Sequence, residues 1–429
     1  MKPYQAMTKE ERTNEYDALM SEYERFKALH LSLNMARGKP GREQLDLVSD
    51  ILTVLDKADD CVDEGIDVRN YGNLTGIPSA KRLFAELLGT KPEQIIVGGN
   101  ASLNLMYDLI AKAYTHGLAN SPRPWAKEEK VRFLCPAPGY DRHFKISESF
   151  GMELVTIRMT ENGPDMDAVE EAVKDPCVKG IWCVPKYSNP DGIVYSDETI
   201  DRLAGLRPAA PDFALMWDNA YCVHEFEGDF MPFRDILSLC AAQGNADMVY
   251  EFASTSKITF PGAGVAVMAA SEANLKYIES LLTFQTISYD KVNQLRHVRY
   301  LKDKENTLAL MRRHAEVLAP KFAVVLEALE REIAPTKTAR WTKPRGGYFI
   351  SLYAMPGTAK RVVGLMKDAG VTLTGAGATY PYGVDPDDSN IRIAPSLPPV
   401  VELQQAMAVL CVCLRLAALE KLGIPAQNG

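Results

Sequence analysis

Glu251-Phe-Ala-Ser-Thr-Ser-Lys257-Ile-Thr-Phe-Pro-Gly-Ala-Gly-Val-Ala-Val267 holds one lysine between a hydroxyl run and a Pro-Gly turn. Ser254, Thr255 and Ser256 precede Lys257, while Pro261 and Gly262 lead into a β-branched segment that predicts a strand. Small neighbours leave open space above the ammonium. Hydroxyls can donate to an anion beside it, and partial burial lowers a lysine's pKa toward the nucleophilic range. Imine formation with an aldehyde uses all three properties. A plain surface-loop lysine fits the same stretch taken alone, so the surrounding chain has to discriminate.

A chain of 429 residues is too long for one simple core, and two domains are expected. Its 46% apolar and 24% charged residues are those of an ordinary globular protein. The formal charge of −8 argues against nucleic acid as a partner, because phosphate binding wants a basic face. No apolar run long enough to span a bilayer is expected, and residues 1–12 have no apolar signal region, which together predict no membrane partner and a cytoplasmic location. Cys61, Cys135, Cys177, Cys183, Cys222, Cys240, Cys411 and Cys413 are scattered, with no CxxC pair and no zinc-like His spacing. They read as buried reduced thiols, and no metal site is expected.

Residues 8–30 place Tyr16, Leu19, Met20, Tyr23, Phe26 and Leu29 at helical spacing behind a Thr8/Glu11 capping box, which predicts one amphipathic helix. The loop at 33–40 sets Arg37 and Lys39 on either side of Gly38, as a solvated turn or a ligand loop. Residues 70–78, with Tyr71, form a turn-rich stretch before a helix at 79–88. A short strand at 94–97 is followed by Gly98-Gly99-Asn100-Ala101-Ser102 and an apolar helix through 113. Strand, small residues and helix start make a phosphate cradle, since free backbone N–H groups and the helix dipole converge there. The Walker lysine and the full dinucleotide glycine pattern are both missing.

Residues 133–135, 154–157, 180–184, 214–217 and 248–250 read as short buried strands between amphipathic stretches such as 166–173 and 196–204. That pattern predicts a doubly wound α/β domain, with ligands at the carboxyl ends of the strands. Beyond 289 come a long charged helix at 292–329, a hairpin-like strand at 345–352, a helix at 360–369, a strand at 390–394 and a closing helix at 400–421. These predict a smaller α+β domain completed by the N-terminal segment. The expected division is 1–50 joining the small domain, 51–289 as the large domain, and 290–429 as linking helix and small domain.

Unusual residues fall at the strand ends. In 185–192, prolines and a glycine fix an irregular backbone that would hold the Asn189 amide in place. Asp218 ends an apolar strand, where a carboxylate is costly without a cationic or N–H partner, and Tyr221 can present its phenol to the same ligand. Tyr140 follows Pro136-Ala137-Pro138-Gly139, a rigid mount for a ring that stacks on a flat heterocycle. Each has a plain structural reading on its own.

Taken together and in chain order, these motifs resemble the fold-type I pyridoxal-phosphate aminotransferases of the class I and II superfamily over nearly the whole chain. The wording of Asn-Pro-Asp-Gly (189–192), Trp-Asp-Asn-Ala-Tyr (217–221) and Ser-Lys-Ile-Thr-Phe-Pro-Gly-Ala-Gly-Val (256–265) is similar to the divergent bacterial aspartate aminotransferase subgroup. The resemblance implies a large domain with a mostly parallel mixed sheet and helices on both faces, a smaller α+β domain, and pyridoxal 5′-phosphate as cofactor. It implies that Lys257 forms the imine and moves the substrate proton, and that Asp218 pairs with the pyridine N–H. Asn189 and Tyr221 would bond the phenolic oxygen, Tyr140 would stack on the ring, and Ala101, Ser102, Ser254 and Ser256 would hold the phosphate. A tyrosine in the position of Tyr71 reaches the phosphate of the neighbouring subunit, which implies a homodimer with shared sites. Arg392, in Asn-Ile-Arg-Ile-Ala, matches the arginine that binds the α-carboxylate, and Gly38 and Asn189 complete the substrate-binding set.

One departure stands out. Most members carry a phosphate-binding arginine shortly after the lysine, and this chain reads Pro261-Gly262-Ala263-Gly264 there. Arg37, Lys39 or Lys291 could supply the charge instead. Arg37, Lys39, Arg142, Lys186, Lys291 and Arg296 are candidates for a distal substrate carboxylate. Aspartate with 2-oxoglutarate is the expected substrate pair. An aromatic or alanine-type aminotransferase, a β-lyase or a decarboxylase would share these residues. An aminotransferase-like effector-binding regulator would need a winged DNA-binding domain ahead of the fold, where a single helix is predicted.

Overall fold

Short apolar runs bounded by glycine, proline and polar turns are too brief for helices, and they pair as a sheet of eight strands. In chain order these are β1 (Ile95–Val97), β2 (Arg132–Ala137), β3 (Glu153–Thr160), β4 (Gly163–Pro164), β5 (Val178–Cys183), β6 (Ala214–Asp218), β7 (Val249–Ser254) and β8 (Ala266–Ala270). This computed structural model describes residues 2–426. The strands lie in the order β1-β8-β7-β6-β5-β2-β3-β4. From β7 through β3 neighbouring strands are parallel, whereas β8 runs antiparallel to both β7 and β1.

Both faces are covered, as a parallel sheet requires. Leu215 and Trp217 of β6 join one apolar cluster, with the helices Pro78–Leu88, Asp197–Ala204 and Ile236–Ala242. Ala214 and Met216 join the opposite one, with the helices Ser102–Thr115, Asp141–Ser149 and Glu272–Leu282. In the register Phe252 of β7 stands opposite Asp218 of β6, and Cys183 of β5 opposite Trp217. The carboxyl ends of these three strands therefore open side by side, and the loops after them share one rim.

A separate apolar cluster joins the two ends of the chain. Tyr16, Leu19 and Tyr23 of the Lys9–Ala28 helix pack with residues of the Ala359–Asp368 and Val400–Lys421 helices. An antiparallel sheet of Ala339–Trp341, Ile350–Ala354 and Asn390–Ile393 lies against them, and Leu33–Asn34 pairs in parallel with Val371–Thr372. The expected Thr8/Glu11 box is present, with Glu11 N–H donating to Thr8 Oγ1 at 3.2 Å and Thr8 N–H to Glu11 Oε2 at 2.6 Å.

Three expectations need correction. The helix expected at 292–329 is two, Lys291–Leu301 and Lys304–Glu332. Lys302 turns the chain at φ 64°, and Asp303 caps the second helix by accepting from Asn306 N–H at 2.8 Å. The strand expected at 345–352 starts only at Ile350, because Gly347 takes φ 80° and a Cβ on Gly346 would lie 2.5 Å from the Tyr187 ring. Finally, Val400–Lys421 is long and apolar enough to cross a membrane, with mean hydropathy 1.6, against the reading that no such run exists. Its apolar surface is spent on the terminal cluster, where Leu403, Leu410, Leu416 and Leu419 are fully buried.

Candidate active site

Asp218 closes β6 and is only 3% exposed, so its carboxylate depends on what the fold brings to it. Oδ2 lies 3.0 Å from His143 Nε2. A carboxylate only accepts, so the Nε2–H donates. The His143 ring is clamped by Trp182, stacked at 4.4 Å and 10°, and by the edge of Tyr140 at 4.9 Å. Oδ1 of the same carboxylate is buried with no partner among the described residues. A buried acceptor left open, beside one held rigidly, suits a ligand N–H.

Lys257 sits in a turn just after β7, where the N–H groups of Ile258 and Thr259 both donate to Thr255 O, at 2.9 and 2.8 Å. Its Nζ stands 4.9 Å from the centroid of the Tyr221 ring. Burial pulls the Lys257 pKa below the usual lysine range, and the Asp218 charge opposes this more weakly. Burial also pushes the Tyr140 phenol up to about 12 and that of Tyr221 well above its ordinary value. Both phenols therefore remain donors near neutral pH.

Lys257, Asp218, Tyr221, Tyr140, Asn189, Ser102 and Gly38 line one cavity, closed by Phe349, Val184 and Leu103. Gly38 enters from the N-terminal loop, and a Cβ there would meet Phe349 Cζ at 2.4 Å. Arg392, on the Asn390–Ile393 strand, joins through Asn189, whose Oδ1 accepts from its Nη1 at 3.2 Å. Phe349 lies under the guanidinium, 5.0 Å from Cζ to ring centroid. Asp141 Oδ1 also accepts from Nη1, at 2.9 Å.

On the far side, Ala101 is the N-cap of the Ser102–Thr115 helix and offers no side-chain cap, so the first N–H groups stay open to a ligand. Gly98 N–H and Gly99 O bond to Ala266, which ties this cradle to β8. Ser254 Oγ donates to Ser256 Oγ at 3.0 Å beside it. A Cβ on Gly264 would stand 3.0 Å from Asn100 O and 3.2 Å from Thr255 Oγ1. Tight contact at that point leaves little room for the arginine that the resemblance leads one to expect there. Tyr71 stands apart from the other expected site residues, 78% exposed on the loop after Asp67.

An aspartate aminotransferase family model matches residues 7–425. The chain is 48% identical to the aspartate aminotransferase of Corynebacterium glutamicum over 405 residues, 94% of each protein. A crystal structure of an aspartate transaminase from that organism has a TM-score of 0.95 at 46% identity, covering 98% of this chain and 99% of the other. A putative aminotransferase of Mycolicibacterium smegmatis is 48% identical over 98% of this chain and 99% of its own length.

The chain belongs to the aspartate aminotransferase family. It is an aminotransferase, and pyridoxal phosphate is its cofactor. The donor set of the cavity fits that group: an amine with a depressed pKa, an open buried carboxylate oxygen, an aromatic wall, and a helix N-terminus flanked by hydroxyls.

Sequence reasoning missed His143, Asp141, Trp182 and Phe349 in this aminotransferase. His143 had a signal, since it follows Tyr140 on the first turn of the same helix. Trp182 and Phe349 look like core residues from any local window. Among the candidate cations, Lys186 is engaged, pairing with Glu225 Oε1 at 2.6 Å and donating to Cys222 O and Met231 O, each at 2.8 Å. Arg37, Lys39 and Arg142 are exposed, and Arg296 donates to Asn293. Lys291 is 2% exposed and its Nζ has no partner among the described residues.

Proposed function

We propose that this enzyme moves the amino group of L-aspartate to 2-oxoglutarate, working as a cytoplasmic homodimer. The open Oδ1 of Asp218, in the same cavity as Lys257, carries this reading, and the C. glutamicum relative supports the choice of substrates. When bound, pyridoxal phosphate supplies the carbonyl that accepts the amino group and a ring that withdraws electrons.

Asp218 Oδ1 would accept from the ring nitrogen and keep its proton in place, with His143 fixing the carboxylate. Lys257 Nζ carries the proton to and from the substrate Cα, for which a depressed pKa is suited. Tyr140 would cover the ring, and Asn189 and Tyr221 would donate to its phenolic oxygen. The Ala101–Ser102 N–H groups with Ser254 and Ser256 would bind the phosphate, and Tyr71 would reach that of the neighbouring subunit. Arg392 takes the α-carboxylate, with Gly38 and Asn189 shaping that side. Lys257 and Asp218 belong to a large domain at 51–289, while Arg392 comes from the small domain made by 290–429 and 1–50.

The purified protein is expected to be yellow, with an absorbance band that borohydride removes. Lys257→Ala should lose that reaction together with all turnover. Conversion of bound pyridoxal to pyridoxamine phosphate across a panel of amino acids should be fastest with aspartate and glutamate. Steady release of pyruvate and ammonia without a 2-oxo acid would overturn the assignment in favour of a lyase.

A further inference from the structure

Arg392 already holds a carboxylate. Its Nη1 donates to Asp141 Oδ1 at 2.9 Å and to Asn189 Oδ1 at 3.2 Å, which occupies both hydrogens of that nitrogen. Nη2 has Thr374 Oγ1 at 3.4 Å, and Nε is buried without a partner among the described residues. A carboxylate binds guanidinium through two parallel N–H bonds. At the Nη1/Nη2 end of the guanidinium Asp141 already holds one of the two nitrogens, so a ligand carboxylate arriving there meets that charge. Two carboxylates and Asn189 cannot all be served by the two hydrogens of Nη1, and adjacent like charges repel.

We propose that Asp141 is an internal competitor for the substrate's α-carboxylate. It neutralises Arg392 in the substrate-free enzyme and leaves Nη1 when an amino acid or 2-oxo acid binds. This rests on the reading of Arg392 as the α-carboxylate cation. A guanidinium whose side chain is 7% exposed is costly without a counter-charge, so a resident partner keeps the site folded between turnovers. The Asp141 side chain is 30% exposed and has water to turn into. As the first residue of the Asp141–Ser149 helix it stays near the positive end of that helix dipole after it lets go, so the released state is itself stabilised. Discrimination follows: a ligand with a bidentate carboxylate displaces Asp141, whereas a simple primary amine leaves it in place.

Competition lowers apparent affinity by the fraction of enzyme in which Arg392 is free. In the holoenzyme, Asp141→Asn and Asp141→Ala should each lower KM for aspartate and for 2-oxoglutarate about tenfold, with kcat moving less. The Kd of maleate, a dicarboxylate that cannot react, should fall in parallel by calorimetry. An unchanged or raised KM in the Asn variant, with thermal unfolding like that of the parent, would mean that Asp141 only positions Arg392 and would overturn the proposal. Arg392→Lys separates this from the underlying reading. A rise in its KM of about a hundredfold keeps Arg392 as the carboxylate cation whatever Asp141 does, and no rise removes both ideas together.

Discussion

Two carboxylates in this site are each held by a side chain close in space and far along the chain. His143 fixes one oxygen of Asp218 at 3.0 Å and leaves the other open, while Asp141 occupies Arg392 at 2.9 Å. Gly38 has a steric role of the same local kind. Its missing Cβ is what lets the Phe349 ring lie against the loop and under Arg392. Gly38→Ala should push that ring toward the guanidinium and raise KM for amino-acid substrates several-fold, more than it lowers the melting temperature. Relief by Phe349→Leu in the double variant would identify the ring as the cause, and a KM equal to the parent's would refute it. The sequence placed Gly38 between two cations and in the expected substrate-binding set, but its steric partner was not legible, since the ring it accommodates lies more than three hundred residues further on.

Among the elements, β7 combines a structural and a titratable role. Glu251 lies within it at 3% exposure, and burial pushes its pKa up to about 8, although Asn219 Nδ2–H donates to Oε1 at 2.9 Å and opposes the shift. The folded protein thus holds a proton there that the unfolded chain releases near pH 4.5. Between those values the native state binds more protons than the unfolded one, so this group's contribution falls as pH rises from about 4.5 to 8. Glu251→Gln, which keeps the shape and removes the titration, should gain in melting temperature relative to the parent across that window, with little difference at its acid end. A constant difference over the range would show that Glu251 is not the titrating group. The break between the Lys291–Leu301 and Lys304–Glu332 helices belongs to this scale too. Asp303 is an ordinary N-cap residue, yet the charged helical pattern on both sides hides the turn at Lys302.

Across the whole molecule, the Lys304–Glu332 helix connects the two regions that build the site. Leu310 and Met311 pack in the core around the large sheet, and Phe322 and Val325 in the core around the chain ends. Lys257 and Asp218 come from the first region and Arg392 from the second, so a shift of one region against the other would move Arg392 relative to Lys257. Tyr71, exposed at 78%, is the expected contact to a second subunit. Mixing Lys257→Ala with Tyr71→Ala subunits should restore activity above the mean of the two, because each hybrid dimer then has one site with both native side chains. Activity equal to the mean, or a monomer by sedimentation, would remove the shared site.

The amino-acid sequence alone determined most strands of the large sheet, their turn chemistry and the placing of Lys257, Asp218, Tyr221, Tyr140 and Asn189 at strand ends. Strand period, proline and glycine act over a few residues, so a local window contains their whole cause. Tertiary structure decided which groups pair: His143 with Asp218, Asp141 with Arg392, Phe349 with Gly38, and Lys186 with Glu225. Such pairs join positions far apart in the chain, 251 residues in the case of Asp141 and Arg392 and more than three hundred in that of Gly38 and Phe349, and their energy depends on burial that only the folded chain creates.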